Sequence, residues 1–118
     1  MNVYSSVHEL VGNTAIVEIN QLPIPNNCRI FAKLEYLNPG GSVKDRLGIS
    51  LIEDAEQSGN LLPGGTIIET TAGNTGSGLD LAAVEQGYHV VFVDTEQFSR
   101  DKQTLSRRLW TEIGRPKT

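Results

Sequence analysis

Sulfur, histidine and aromatic side chains are scarce in this sequence. Among 118 residues there are one cysteine, one methionine, one tryptophan and two histidines, and aromatics make up 6%. The lone Cys28 excludes an internal disulfide. With only His8 and His89 beside it, no CxxC or HxxxH spacing arises, so no metal site is expected. Long apolar runs are missing too. The chain does not open on a basic stretch followed by an apolar one, and runs such as Val90 to Val93 are far too short to cross a bilayer. These absences point to a soluble, unexported chain of the reducing cytoplasm, with no membrane partner.

Positive charge is sparse over most of the chain. Residues 1–99 carry four basic side chains against twelve acidic ones, whereas residues 100–118 carry six against two. Arg100, Lys102, Arg107, Arg108, Arg115 and Lys117 lack interleaved aromatic platforms for stacking bases, so this stretch reads as a solvated helix face and no nucleic-acid partner is expected. At 38% hydrophobic content the chain can bury one core, which is little for an enzyme with its own cofactor site.

Strand-like and helix-like patterns alternate along the chain with short Gly- and Pro-marked joints, the signature of an α/β layer architecture. Residues Ala15 to Ile19 and Arg29 to Tyr36 read as strands that pair with each other or join a larger sheet, separated by a turn-rich stretch with Pro23 and Pro25. Ser42 is placed to cap a helix running to about Gln57, with Asp45 in its first turn, Gly59 past its end, and Leu47, Leu51, Ile52 and Ala55 on one apolar face. A buried strand over Thr66 to Glu69, a helix from Asn74 to about Gln86 and a strand over His89 to Val93 compose a βαβ unit. A last helix is expected from about Ser99 to Glu112, with Leu105, Leu109 and Ile113 on one side, before Gly114 and Pro116 end regular structure.

Two segments carry chemistry. Residues 38–46 read NPGGSVKDR, a tight turn feeding a helix whose first turn holds Lys44. A Schiff-base nucleophile needs its amine neutral, and positive potential at a helix start favours that form. Taken bare, the same spacing also fits a solvated charge cluster. Residues 69–78 read ETTAGNTGSG between a strand and a helix, where glycines admit a close ligand and Thr71, Asn74, Thr75 and free helix amides offer donors to a carboxylate or phosphate. The alternative is that Gly73, Gly76 and Gly78 allow a sharp turn and close helix packing. The glycines run GxxGxG, which fails the dinucleotide fingerprint, and no GK[ST] closes a Walker loop, so a nucleotide-binding βαβ domain is the lesser reading.

Taken in order, VGNTA at 11–15, KLEYLNPGGSVKDR at 33–46, TAGNTG at 71–76 and FSRDKQ at 98–103 resemble the cysteine synthase and cystathionine β-synthase family over roughly residues 6–113. The resemblance implies a fold-type II pyridoxal phosphate enzyme that performs β-replacement or β-elimination, on O-acetylserine or serine, to make cysteine or cystathionine. It implies an α/β three-layer open sheet with helices on both faces, of which this chain would be a truncated part. Residues 1–36 would supply strands of the larger cofactor domain, 37–113 most of the small mobile domain, and 114–118 an irregular tail.

By the same resemblance Lys44 is the catalytic, cofactor-bearing lysine and Asn74 contacts the pyridoxal ring oxygen. Thr71, Ala72, Gly73, Asn74 and Thr75 form the loop that grips the substrate carboxylate. The family's cradle for the cofactor phosphate lies in a later half not matched here, so catalysis is expected to need that half. The expected partners are an amino-acid substrate, a complementing C-terminal half or a second copy of the chain, and the tail of serine acetyltransferase. A non-catalytic binding module that keeps the carboxylate loop is the alternative.

The sequence departs from the family pattern at Thr70, Asp80, Asp94, Thr95, Trp110, Thr111 and Pro116. A buried Asp80 or an oversized Trp110 would cost on the order of a few kcal/mol unless accommodated.

Overall fold

The computed structural model describes residues 1–70, 73–93 and the backbone of 112–114. Strand β1 (Ile16–Ile19) pairs antiparallel with β2 (Ile30–Lys33), Ile16 opposite Lys33 and Ile19 opposite Ile30, so the first two expected strands find each other. The second is shorter than its apolar pattern suggests. Leu34 still donates its amide to the Ala15 carbonyl at 2.9 Å, but Glu35–Leu37 then wind into a 3-10 turn whose Glu35 carbonyl accepts the Asn38 side-chain amide at 2.8 Å. That side-chain bond competes with ladder pairing and ends the strand.

The second sheet runs in the order β3 (Thr66–Glu69), β4 (His89–Val93), β5 (Glu112–Gly114), all parallel. Helix α2 (Asn74–Glu85) crosses between β3 and β4 and completes the expected βαβ unit. Phe92 lies opposite Ile113 in the β4–β5 register, so Glu112 and Ile113, expected at the end of a helix, belong to a strand instead. The i, i+4 spacing of Leu105, Leu109 and Ile113 extends the helical pattern into residues that pair with β4. Most of that helix, and Trp110 with it, lies outside the described residues. β3 is less buried than its composition suggests, since Ile68 is 69% exposed.

Helix α1 (Lys44–Gln57) ends where expected, with Gly59 at a positive φ of 73° donating its amide to the Glu56 carbonyl at 3.0 Å. Its start lies one residue later than Ser42 would set as cap. Val43 occupies the cap position, while Ser42 Oγ accepts the Lys44 amide at 3.1 Å. Its buried face also differs from the expected one. Asp45, Gly48 and Ile52 are buried, whereas Leu47 and Leu51 are exposed. Positions 45, 48 and 52 form a proper helical stripe, but a glycine and an aspartate on it are invisible to a search for apolar periodicity.

The reason for that stripe is the crossing of α1 and α2. A Cβ added at Gly48 would lie 2.3 Å from the Gly78 carbonyl oxygen, and one at Gly78 would lie 2.3 Å from the Lys44 carbonyl oxygen. The helices touch backbone to backbone. Around this contact Ile52, Leu61, Leu79, Ala82, Ala83, Tyr88, Val90 and Phe92 form the buried core. Full burial of side chains such as Ile52 and Phe92 contributes roughly 1.5–3 kcal/mol each. Asp80 is fully buried within α2, so the departure noted in the sequence falls inside the fold. No described helix is long and apolar enough to cross a membrane.

Candidate active site

The glycine crossing decides where the expected site residues fall. Lys44 is the first residue of α1 and is half-buried; its carbonyl packs against Gly78, one helical turn beyond Asn74, the first residue of α2. The crossing therefore brings the N-terminal ends of both helices to the same place, with about 6 Å of rise between Asn74 and the contact. The close packing at Gly78 leaves the start of α2, from Gly73 to Thr75, beside the first turn of α1.

At the start of α2, Gly73 takes the cap position with an extended backbone and no side-chain cap. Its carbonyl accepts the Ser77 amide at 3.2 Å and the Ser77 hydroxyl at 3.4 Å. A helix leaves its first amides without carbonyl partners of its own, so an uncapped start favours an anion. Asn74 is exposed and Thr75 half-buried at this end, while Thr71 and Ala72 of the expected loop lie outside the described residues.

Around Lys44 the chain builds a polar scaffold that sequence reasoning missed. Asn38 is 3% exposed and acts as its hub. Its Oδ1 accepts the Gly12 amide at 2.8 Å, and its Nδ2 donates to the Ser42 carbonyl at 3.0 Å and to Glu35 Oε2 at 2.9 Å. Glu35 in turn accepts Arg46 Nε at 2.9 Å, an Arg46 terminal nitrogen at 3.1 Å and the Thr14 hydroxyl at 2.8 Å, with Lys33 Nζ at 3.3 Å. Arg46 thus spends its charge on Glu35 rather than standing beside the amine as an open positive field. Gly12 and Thr14 lie in the VGNTA segment and the other members in KLEYLNPGGSVKDR. Both segments stand out in the sequence, but spacing alone does not say that these residues bind one another.

The Arg46 guanidinium, then Thr14 and Asn38, hold the Glu35 carboxyl far below the usual carboxylate range, and Lys33 adds to the effect. A carboxyl depressed in the folded state contributes stability above its unfolded pKa, and that contribution is lost as pH falls below it. Melting temperature should therefore fall more steeply between about pH 5 and pH 3 in the wild-type chain than in a Glu35→Gln variant. Equal slopes in a thermal-melt series across that range would refute the role assigned to Glu35.

Residues 7–113 match the family described as Pyridoxal-phosphate dependent enzyme. The chain is 48% identical over 113 residues to the O-acetylserine dependent cystathionine beta-synthase of Bacillus subtilis, covering 96% of this chain and 37% of that protein. It is 39% identical over 108 residues to the cysteine synthase of Staphylococcus aureus, covering 92% of this chain and 35% of that protein. Among solved structures, the O-acetylserine dependent cystathionine beta-synthase of Helicobacter pylori superposes with a TM-score of 0.90 at 42% identity, over 98% of this chain and 39% of that one. The chain thus spans well under half the length of these relatives. Its ordered motifs, its paired helix starts and these matches agree: the chain belongs to the pyridoxal-phosphate dependent enzymes, in the fold-type II group that contains cysteine synthase and cystathionine β-synthase.

Proposed function

We propose that the chain supplies the lysine and the substrate-carboxylate loop of a β-replacement enzyme that makes cysteine or cystathionine from O-acetylserine or serine. The observation that carries this reading is the Gly48–Gly78 crossing, which brings the first residue of α1, Lys44, beside the start of α2, where Gly73 offers no side-chain cap. The residues present fit the reacting end of pyridoxal phosphate, because a half-buried lysine and an anion-favouring helix start share one end of the helix pair. When bound, the cofactor supplies an aldehyde for attachment and an electron sink for carbanion chemistry. The chain's own part is to present Lys44 Nζ for attachment and later proton transfer at the substrate α-carbon. The amides around Gly73 to Gly76 orient the carboxylate.

By resemblance, the cofactor phosphate is held by a part of the family protein that this chain does not span. The full reaction then needs that part, from a C-terminal continuation of the chain or from a complementing polypeptide. A second copy of the chain is the other candidate, and the same anion-favouring loop suits the carboxyl terminus of a partner peptide such as a serine acetyltransferase tail. The deciding experiment is an absorbance spectrum of the purified chain with added pyridoxal phosphate. A band of lysine-bound cofactor that is absent in Lys44→Ala supports the reading; its absence in the wild type leaves a binding module.

Carboxylate binding should survive even without catalysis, because its donors are local. Titration with an amino acid or a short peptide should shift the amide resonances of Gly73, Asn74, Thr75 and Gly76 at millimolar concentration. Unchanged resonances would remove the loop from the proposal.

A further inference from the structure

Asp45 is the second residue of α1, and it is 1% exposed. Carboxylates in a first helical turn ordinarily sit in water and face the helix amides. This one is buried and also turns back on the preceding turn. Its Oδ2 accepts the Gly40 amide at 2.5 Å, and its Oδ1 has no hydrogen-bond partner among the described residues. Gly40 is matched to it, since a Cβ there would meet Asp45 Oδ1 at 2.5 Å and Cγ at 2.9 Å. Burial pushes the Asp45 carboxyl up against the opposing pull of the Gly40 amide, so its surroundings do not reward the charge. What the site uses is the acceptor.

The Gly40–Asp45 bond closes a ring of backbone that contains Lys44. The far side of that ring is held by Asn38, whose carbonyl accepts the Gly41 amide at 2.8 Å and whose Nδ2 donates to the Ser42 carbonyl at 3.0 Å. Opening the ring at Asp45 would free Pro39 to Gly41 and let the first turn of α1 shift. Lys44 would then move with it. We propose that Asp45 is a positioning residue for Lys44: its side-chain oxygen latches Gly40 and so fixes where the neighbouring amine stands. The proposal rests on the reading of Lys44 as the cofactor lysine.

The test treats the full chain with excess pyridoxal phosphate, where the lysine amine condenses with the aldehyde and releases water. Borohydride then delivers hydride to leave a stable secondary amine, and peptide mass spectrometry gives the share of label at Lys44 relative to the other lysines. Asp45→Ala should lower that share about tenfold while circular dichroism stays native, whereas Asp45→Asn, which keeps an acceptor for Gly40, should stay within about twofold. Gly40→Ala should act like Asp45→Ala, and adding it to Asp45→Ala should cost nothing further, because the clash partner is gone. An unchanged share in folded Asp45→Ala, or an Asp45→Asn as impaired as Asp45→Ala, overturns the inference. If Asp45→Ala does not fold, Gly40→Ala and Asp45→Asn decide: loss in the first with retention in the second supports the latch, and any other pairing overturns it. A wild-type chain that shows no preference for Lys44 sinks the reading of the lysine and the latch together. Preference in the wild type with no change in the variants sinks the latch alone.

Discussion

Gly78→Ala and Gly48→Ala should each lower the melting temperature by roughly 10 °C or more, the largest loss expected from adding a single methyl group to this chain. At Gly78 the added carbon would lie 2.3 Å from the Lys44 carbonyl oxygen and 2.9 Å from the Asp45 amide; at Gly48 it would lie 2.4 Å from the Gly78 carbonyl carbon. Every one of these atoms is backbone, so no rotamer change can make room. The helices must part by on the order of 1 Å, and the packing of Ile52, Leu79, Ala82 and Ala83 loosens with them. Overpacking of this kind costs about 1–3 kcal/mol, more when backbone must move, against a domain stability of roughly 5–15 kcal/mol. The double variant should fall short of the sum, since both methyls open one crossing. Gly59→Ala is the control: its φ of 73° is costly for alanine, but nothing lies within 4 Å of its Cβ, so only about 1 kcal/mol of backbone strain is expected. Equal losses at Gly59 and Gly78 would mean that close approach does not limit these helices.

Those glycines also show what a linear reading can and cannot carry. Thr66 to Glu69 and His89 to Val93 were legible to the residue, because short β-branched runs between turn signals have few other uses. The β1–β2 pairing was legible as one of two options. The face of α1 is legible only at Ile52 and Ala55, because apolar spacing also points to the exposed Leu47 and Leu51 and passes over the buried Gly48 and Asp45. Strand β5 was hidden for a similar reason: apolar residues spaced like a helix covered its first positions, and parallel pairing to β4 is a long-range fact.

The site divides along the same line. Motif resemblance singles out Lys44, Gly73, Asn74 and Thr75, and the structure places them at the N-terminal ends of two crossing helices, while their roles are those proposed above. Residue chemistry by itself had left Lys44 open to a solvated-cluster reading. The scaffold behind it was not legible, since Thr14, Glu35 and Arg46 meet over separations that no local pattern encodes. Arg46 shows the consequence. Read locally it belongs to a solvated charge cluster, but in the fold its guanidinium is bidentate on Glu35.

The other large effect concerns turnover: the 118-residue chain alone should make no measurable cysteine from O-acetylserine and sulfide, even with saturating pyridoxal phosphate. Attachment at Lys44 requires an aldehyde held long enough for substrate to exchange into the site. By the proposed reading, retention depends on phosphate contacts from the family's later half, and the chain spans 37% of one relative and 35% of another. Losing several charge-assisted hydrogen bonds, each worth roughly 1.5–3 kcal/mol, weakens retention by orders of magnitude. The paired helix starts also need a second body to close against, because Lys44 is only half-buried and Asn74 is exposed, so water reaches the reacting centre. Adding a polypeptide that carries the rest of a family member should raise turnover from background, and Lys44→Ala should abolish that gain. The assay compares sulfide-dependent cysteine formation by the chain alone, by the complemented pair and by the pair with Lys44→Ala. Turnover by the chain alone, clearly above free cofactor and lost in Lys44→Ala, would refute the prediction and assign the phosphate contacts to residues within the chain or to a second copy of it.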